Sequence, residues 1–433
     1  MLAKLRLRGA RQVVQVVTDD RTESLRGAAM KRPAVLEAQA PDATLGILVG
    51  SDGKILQVGT DVELDASKVT AERTVDVGGR VVLPGLVDAH THPVFAGDRV
   101  HEFAQKLAGA TYMDIHKAGG GIGFTVSETR RATEEALFSS FAAVAGQMLR
   151  AGTTLLEAKS GYGLETETEL KMLRVLERAD NALPIEISAT FCGAHSIPKG
   201  STAEQATLDV VGKQIPAVAA VKAAGNLRCV ENCDVFCEKG VFTAEQTERI
   251  LLAGRAVAGL RANFHGDELH YTGSAELAAR LGAAACSHLE EISKEGISSM
   301  ANSGVVAVLL PTTAYVLKIK PPPARALIEA CCVVALGSDF NPNAYCLAMP
   351  VVMHLACCTM AMSLEEALVA ATLHAAASLG RGRTHGALAP RRHADWLVVD
   401  APCWEHLVYR LACHEDLIKM VVKDGEVVVD KLS

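Results

Sequence analysis

Leu83-Pro84-Gly85-Leu86-Val87-Asp88-Ala89-His90-Thr91-His92-Pro93 is the stretch on which the fold turns. Val81–Leu86 is an apolar, β-branched run that reads as a strand, so His90 and His92 fall at or just beyond its end. In an extended chain, residues two apart point to the same side, and the two imidazoles therefore converge. Downstream, to about Leu379, apolar runs alternate with Ala-, Leu- and Glu-rich stretches of helical pattern. The strand-like runs are Gly85–His90, Thr153–Ala158, Ile185–Phe191, Cys233–Cys237, Arg261–His265, Ala283–His288, Gly304–Leu310 and Val333–Gly337. Between them lie stretches such as Ala132–Arg150, Glu165–Ala179, Ala244–Gly259 and Ser274–Leu281. Continuous apolar strands, each followed by a helix, belong to a parallel sheet covered on both faces. Eight such units predict an α/β fold closed as a (β/α)8 TIM barrel, with an open doubly wound sheet as the runner-up.

The flanks read differently. Residues 1–84 hold short apolar runs (Gln12–Val17, Leu45–Val49, Ile55–Val58, Thr74–Val77), with Ser51-Asp52-Gly53 as a hairpin turn. Residues 386–433 repeat the style with Trp396–Val399, Ile418–Val422 and Glu426–Val429, and a turn at Asp424-Gly425. Both ends are expected to fold together as a small β-sandwich domain beside a barrel spanning 85–385. Residues 19–42, polar and rich in Ala and Pro, read as a loop or irregular insert. The basic opening Met1–Arg11 has a faint transit-peptide look, but its alternating Leu and basic residues favour a first strand.

Composition narrows the function classes. Across 433 residues, 49% are hydrophobic and 21% charged, which is ordinary globular usage without a disorder signature. The net charge of -7 argues against a nucleic-acid partner. No run of 18 apolar residues occurs, and Val305–Leu310 is cut by Pro311, so no membrane partner is expected. The 12 cysteines show no disulfide framework and read as reduced, buried thiols of a cytosolic protein.

Chemistry-bearing residues gather at strand ends. Besides His90 and His92, His265 closes the fifth candidate strand, His288 closes the sixth and Asp339 follows the eighth. Carboxyl ends of barrel strands are where this architecture places its chemistry. Nitrogen and oxygen ligands without thiolates suit Zn²⁺ or Fe²⁺.

These residues resemble those of the amidohydrolase superfamily, and more closely those of its imidazolonepropionase family, over nearly the whole chain. The likeness rests on the Leu-Pro-Gly-Leu-Val-Asp-Ala-His-Thr-His run and on Glu157-Ala-Lys-Ser-Gly-Tyr-Gly-Leu164. It extends through Thr190-Phe-Cys-Gly-Ala-His195, Phe264-His-Gly-Asp-Glu268 and Gly337-Ser-Asp-Phe-Asn-Pro-Asn343. The resemblance implies that His90, His92, His265 and Asp339 bind one divalent metal per chain, Zn or Fe. It implies that Arg99 and Tyr162 hold a propionate, that His195 and Asn341 contact substrate or product, and that Glu268 binds the ring. His288 would act beside the carbonyl, with Glu268 and Asp339 sharing the catalytic work. At Asn343 and Ala344 the chain departs from the family's small glycine and hydroxyl residues. The implied reaction is hydrolytic opening of 4-imidazolone-5-propanoate to N-formimidoyl-L-glutamate in histidine degradation, by a cytosolic homodimer.

The residue types suit that chemistry. A ring amide is a poor electrophile, and a divalent metal lowers the pKa of its water from about 15.7 toward about 7. Asp339 is placed to accept a proton and return it to the leaving nitrogen, and Arg99 can grip a carboxylate with two parallel hydrogen bonds. Lys159 follows the second candidate strand rather than the fourth, where binuclear relatives carry a bridging lysine. A single metal is therefore favoured, with Lys159 in an ion pair or holding a loop. Gly119–Gly123 lacks the lysine of a phosphate loop and reads as a flexible active-site loop. Two rivals stand: a ring deaminase on the same scaffold, and an inactive scaffold relative.

Overall fold

The computed structural model describes residues 2–40, 43–109 and 120–432. Its centre is an eight-stranded parallel sheet whose strands are neighbours in chain order. They are Leu86–Asp88, Thr153–Lys159, Glu186–Ala194, Val230–Cys237, Arg261–Gly266, Ala285–His288, Val306–Leu309 and Val333–Leu336. Every residue of Thr153–Lys159 is buried, as expected of a strand with a filled barrel on one face and helices on the other. The barrel closes where the eighth strand runs on beside the first. Ala89 N–H donates to Leu336 O at 3.4 Å, Asp339 N–H to His90 O at 2.9 Å, and His92 N–H to Phe340 O at 2.8 Å.

The connecting helices begin and end where local chemistry dictates. Thr133 caps Glu134–Arg150 by accepting from Ala136 N–H. Thr243 and Gln246 form a reciprocal capping box on Ala244–Ala258, which stops at left-handed Gly259. Their apolar faces, with Phe141, Met148, Ile250 and Leu251 buried, pack on the outside of the barrel.

Both chain ends build the second unit. One sheet has four strands in the order Ile55–Thr60, Leu45–Val49, Leu2–Ala10, Thr70–Asp76. The other has six, in the order Glu426–Asp430, Ile418–Lys423, Trp396–Val399, Val81–Pro84, Gln12–Val16, Ala34–Glu37. Leu5, Leu7, Val13, Ile47, Trp396 and Val398 form the core between them. At the barrel's amino end, this unit is tied on by charge. Lys423 Nζ lies 3.0 Å from Glu186 and 2.9 Å from Asp395, while Arg381 bridges Glu186 at 2.6 Å and Glu231 at 2.8 Å. Glu186 opens the third barrel strand, so this network lies on the face opposite the strand ends that carry the histidines.

Two expectations change. Val81–Pro84 is not the start of the first barrel strand: it pairs antiparallel with Trp396–Val399, and the barrel strand begins after Gly85. Residues 19–42 are not wholly irregular, since Gly27–Lys31 is a short helix and Ala34–Glu37 pairs with Gln12–Val16. Ala34–Glu37 is a half-buried edge strand, so its residues need not be strongly apolar. Within the basic opening, Leu2–Ala10 is a strand in the four-stranded sheet, and Met1 lies outside the described residues. All 12 cysteines are free, and no described helix is long and apolar enough to cross a membrane.

Leu7 is fully buried between the two sheets. Leu7→Ala removes its packing and leaves a cavity, and should lower the unfolding free energy by about 2–5 kcal/mol. Urea denaturation measures this, and a loss below about 1 kcal/mol would contradict the assigned core.

Candidate active site

Two histidines project from just past the first barrel strand and a third from the fifth, and all three meet over the barrel mouth. The Nε2 atoms of His90 and His265 are 3.2 Å apart, those of His92 and His90 3.3 Å, and those of His92 and His265 3.1 Å. All three rings are buried. For His265, the hydrogen bond on the far nitrogen settles what the near one offers. His265 Nδ1 donates to Asp234 Oδ1 at 2.8 Å, and His90 Nδ1 lies 2.9 Å from Ser287 Oγ. With its ring proton held at Nδ1 by the Asp234 carboxylate, His265 turns the lone pair of Nε2 toward the other two rings. Burial, then the surrounding imidazoles and Lys159, push His90 and His92 well below the ordinary histidine value. Burial also lowers His265, against the pull of Asp234.

Three neutral imidazoles cannot satisfy one another's lone pairs, but a cation can satisfy all three. Tetrahedral nitrogen ligands about 2.0–2.1 Å from an ion lie about 3.3–3.4 Å from each other, close to the separations seen here. These three histidines are the compact metal-binding group among the described residues. Asp339 Oδ1 lies 3.6 Å from Nε2 of both His90 and His92. Its other oxygen accepts from Thr313 Oγ1, which fixes the carboxylate's rotation. The donor set fits a divalent ion.

Behind His265 lies a chain of buried charge that joins Lys159 to Glu157 and Asp234. Lys159 Nζ sits 2.7 Å from Glu157 and 2.8 Å from Asp234, all three without solvent exposure. Burial opposes the Asp234 charge, yet His265 and Lys159 hold its carboxyl well below the usual range. Lys159 therefore serves an ion pair, as expected. Asp234 escaped notice because an acid inside an apolar strand says nothing of its partners, which lie 75 and 31 residues away in sequence.

Beside the triad stands His288, its ring stacked on His265 with centroids 5.2 Å apart. Glu268 Oε2 is 3.6 Å from its Nε2 and Glu290 Oε2 is 3.8 Å from its Nδ1. Burial drives Glu268 up to about 8. Burial works against a charged His288, but Glu268, Glu290 and Asp339 together push it up to about 10. Glu268 and His288 are thus both shifted toward their protonated forms.

The opposite wall comes from the second and third strands. His195 stacks on His92 with centroids 4.6 Å apart, and its Nδ1 lies 3.1 Å from Gly161 O. Burial pushes it down to about 3, so the ring is neutral. Tyr162 packs against His195 and His92, at 5.2 and 6.1 Å between centroids. The Ser-Gly-Tyr-Gly-Leu loop is gathered around buried Glu169, which accepts from the N–H groups of Gly161, Gly163 and Leu164 at 2.8–2.9 Å. Gly161 has φ +113, and a Cβ there would press on Cys192 O and His195 at 3.1 Å. Glycine is required where this loop passes under the imidazole.

Contacts thus link His90, His92, His265, Asp339, His288, Glu268, His195 and Tyr162. Arg99 and Asn341 stand apart. Arg99 is buried and bonded to Glu102. Asn341 Nδ2 donates to Asp339 O, and its Oδ1 accepts from Asn343 and Ala344 N–H, so its amide shapes the loop that carries Asp339. The glycine-rich stretch opens the helix Ile122–Arg131, and Gly119 lies outside the described residues.

Comparison with known proteins agrees with this arrangement. Residues 255–428 match the model of the amidohydrolase family. A Nematostella vectensis protein named probable imidazolonepropionase is 56% identical over 432 residues, covering 99% of this chain and 100% of that one. A Homo sapiens protein of the same name is 53% identical over 426 residues, covering 98% of each. Among solved structures, a triazine hydrolase from Arthobacter aurescens superposes with a TM-score of 0.76 at 18% identity. It covers 100% of this chain and 96% of its own, and speaks for the fold alone. On the strength of the full-length relatives, the chain belongs to the imidazolonepropionase family of the amidohydrolases.

Proposed function

We propose that the protein opens the ring of 4-imidazolone-5-propanoate by hydrolysis, yielding N-formimidoyl-L-glutamate. The observation that carries this reading is the meeting of the His90, His92 and His265 imidazoles beside His288 and Glu268 at the barrel mouth. His90, His92, His265 and Asp339 are the residues that would hold one divalent cation, zinc or iron. Such an ion supplies Lewis acidity and brings a water's pKa into the neutral range.

The chain's own groups perform the remaining work. Asp339, locked by Thr313, presents Oδ1 toward the triad, where it takes a proton from the attacking water and later delivers it to the departing ring nitrogen. Water oxygen bonds to the ring carbonyl carbon as that carbon's π bond opens. Collapse then breaks the carbon–nitrogen bond and leaves a carboxylate. Negative charge gathers on the former carbonyl oxygen, where His288, shifted toward its protonated form by its acidic neighbours, counters it. Glu268 faces the ring nitrogens, Tyr162 and His195 form an aromatic wall, Asn341 shapes the adjacent loop, and Arg99 takes the propionate.

The full-length relatives and the acidic net charge of -7 support a small-molecule enzyme with no nucleic-acid partner. The same reading carries a cytosolic homodimer with no membrane partner.

Loss of imidazolone absorbance should follow addition of metal-loaded protein, stop after chelation and return on adding back zinc or iron. Ammonia release from a nucleobase or triazine without imidazolone turnover would instead favour a deaminase. His265→Ala should leave less than about a tenth of the metal per chain and abolish turnover, read by elemental analysis beside the assay. His288→Ala should keep its metal while kcat falls about 10²–10³-fold. Metal loss in that variant would move His288 into the ligand set.

A further inference from the structure

Arg99 is 5% exposed, and its guanidinium is already engaged. Nε and Nη2 lie 2.8 and 2.7 Å from one oxygen of Glu102, a carboxylate that is itself only 1% exposed. The other oxygen of Glu102 accepts from Gly121 N–H at 2.8 Å, at the start of the helix Ile122–Arg131. One carboxylate therefore grips an edge of the arginine and anchors a second segment of chain. Among the described residues nothing takes Nη1.

We propose that Glu102 is a positioning residue that aims Arg99 at the substrate's carboxylate. The inference rests on the proposed propionate-bearing substrate. A guanidinium is planar, so holding two donors on one edge fixes both its plane and its rotation. The outer edge, with Nη1 and the second hydrogen of Nη2, then remains as the pair of donors that a carboxylate would take in the two-point geometry that arginine favours. Gly121 fixes the carboxylate of Glu102 in turn, so the orientation does not depend on one flexible side chain.

Charge and geometry make opposite demands here, which gives the proposal a sign. Arg99 and Glu102 form a neutral pair, so Glu102 lowers the net attraction for an anion. If charge alone governed binding, removing Glu102 would tighten it. If Glu102 acts by orientation, removing it weakens binding despite the added positive charge. Glu102→Gln separates the two bonds, because its amide oxygen can still accept from Arg99 but its nitrogen cannot accept from Gly121.

The test is a double-mutant cycle in metal-loaded protein, with the unreactive acid 3-(imidazol-4-yl)propanoate as probe in calorimetry and imidazole as the carboxylate-free control. Glu102→Ala should weaken binding of the acid about tenfold or more and leave imidazole within about twofold. Glu102→Gln should fall between that variant and wild type. Placed on Arg99→Ala, either substitution should change acid binding less than about twofold, because a residue acting only through Arg99 has nothing left to aim. Tighter or unchanged acid binding overturns the proposal, as does an equal loss in the Arg99→Ala background or failure of the wild type to bind the acid. Should the alanine variant not fold, the near-isosteric glutamine variant completes the cycle. Wild-type turnover of the imidazolone acid is scored separately. Ring opening without any effect of Glu102 sinks only the positioning role. Glu102-dependent binding without ring opening sinks only the substrate.

Discussion

The seam between the eighth and first barrel strands is the constraint on which the site depends. His90 and Asp339 are 249 residues apart, yet Asp339 N–H donates to His90 O at 2.9 Å, and the two side chains enter the same space from adjoining backbones. Asp88 closes the seam below them, accepting Ser338 N–H at 2.9 Å and Ser338 Oγ at 2.5 Å. Gly337 allows the approach: a Cβ there would fall 2.9 Å from both the N and the Cβ of His90. A larger residue at that point would push the histidine strand outward, and the triangle of imidazoles would open with it. Closing the barrel and assembling the site are therefore one event.

Buried acids hold the rest in place, each by taking donors that the fold would otherwise leave unpaired. Asp234 aligns His265, Glu169 gathers three N–H groups of the Tyr162 loop, and Glu102 holds Arg99. Asp267 serves the next loop in the same way, accepting from Thr272, Ser274 and Ala275 N–H at 2.7–3.2 Å and capping the helix Ser274–Leu281 beside Glu268. A buried carboxylate is costly unless hydrogen-bonded, and several inward-pointing N–H groups meet that cost while the loop gains a single shape. Rigid loops above a barrel can hold reacting groups to within a fraction of an ångström.

What the sequence disclosed and what it hid follow from how far each signal reaches. All eight barrel strands were legible as apolar runs, because a strand buried on both faces must be apolar over its own length. The histidines were legible because each stands where such a run ends. The acids behind them were not, since Asp234, Glu169 and Glu102 sit in ordinary strand or helix patterns and acquire meaning only from partners brought by folding. Glu102 and Arg99, three residues apart, show the limit well: their spacing is that of any helix-surface ion pair, while the contact with Gly121 is what makes them a buried device. The edge strand Ala34–Glu37 was missed for a related reason, as one face and one edge left open ask little of composition.

Backbone strain also occurs at the strand exits that carry the site. Asp267, His288, Leu289 and Asp339 all adopt left-handed φ, between 48° and 79°, where side chains other than glycine are disfavoured. All four lie at the carboxyl ends of the fifth, sixth and eighth strands, where the chain leaves the barrel. At His288 and Leu289 two such residues are consecutive, and Leu289 N–H donates to Gly266 O at 3.1 Å while Glu291 N–H donates to Asp267 O at 2.8 Å. These bonds hold the turn against its preference and direct the His288 ring inward over His265. Relaxing either residue into the ordinary right-handed or extended region would redirect the strand exit and carry the imidazole away from Glu268. The strain is thus the local cost of placing the His288 ring beside the three converging imidazoles, and it is sustained by the strand pairing beneath it.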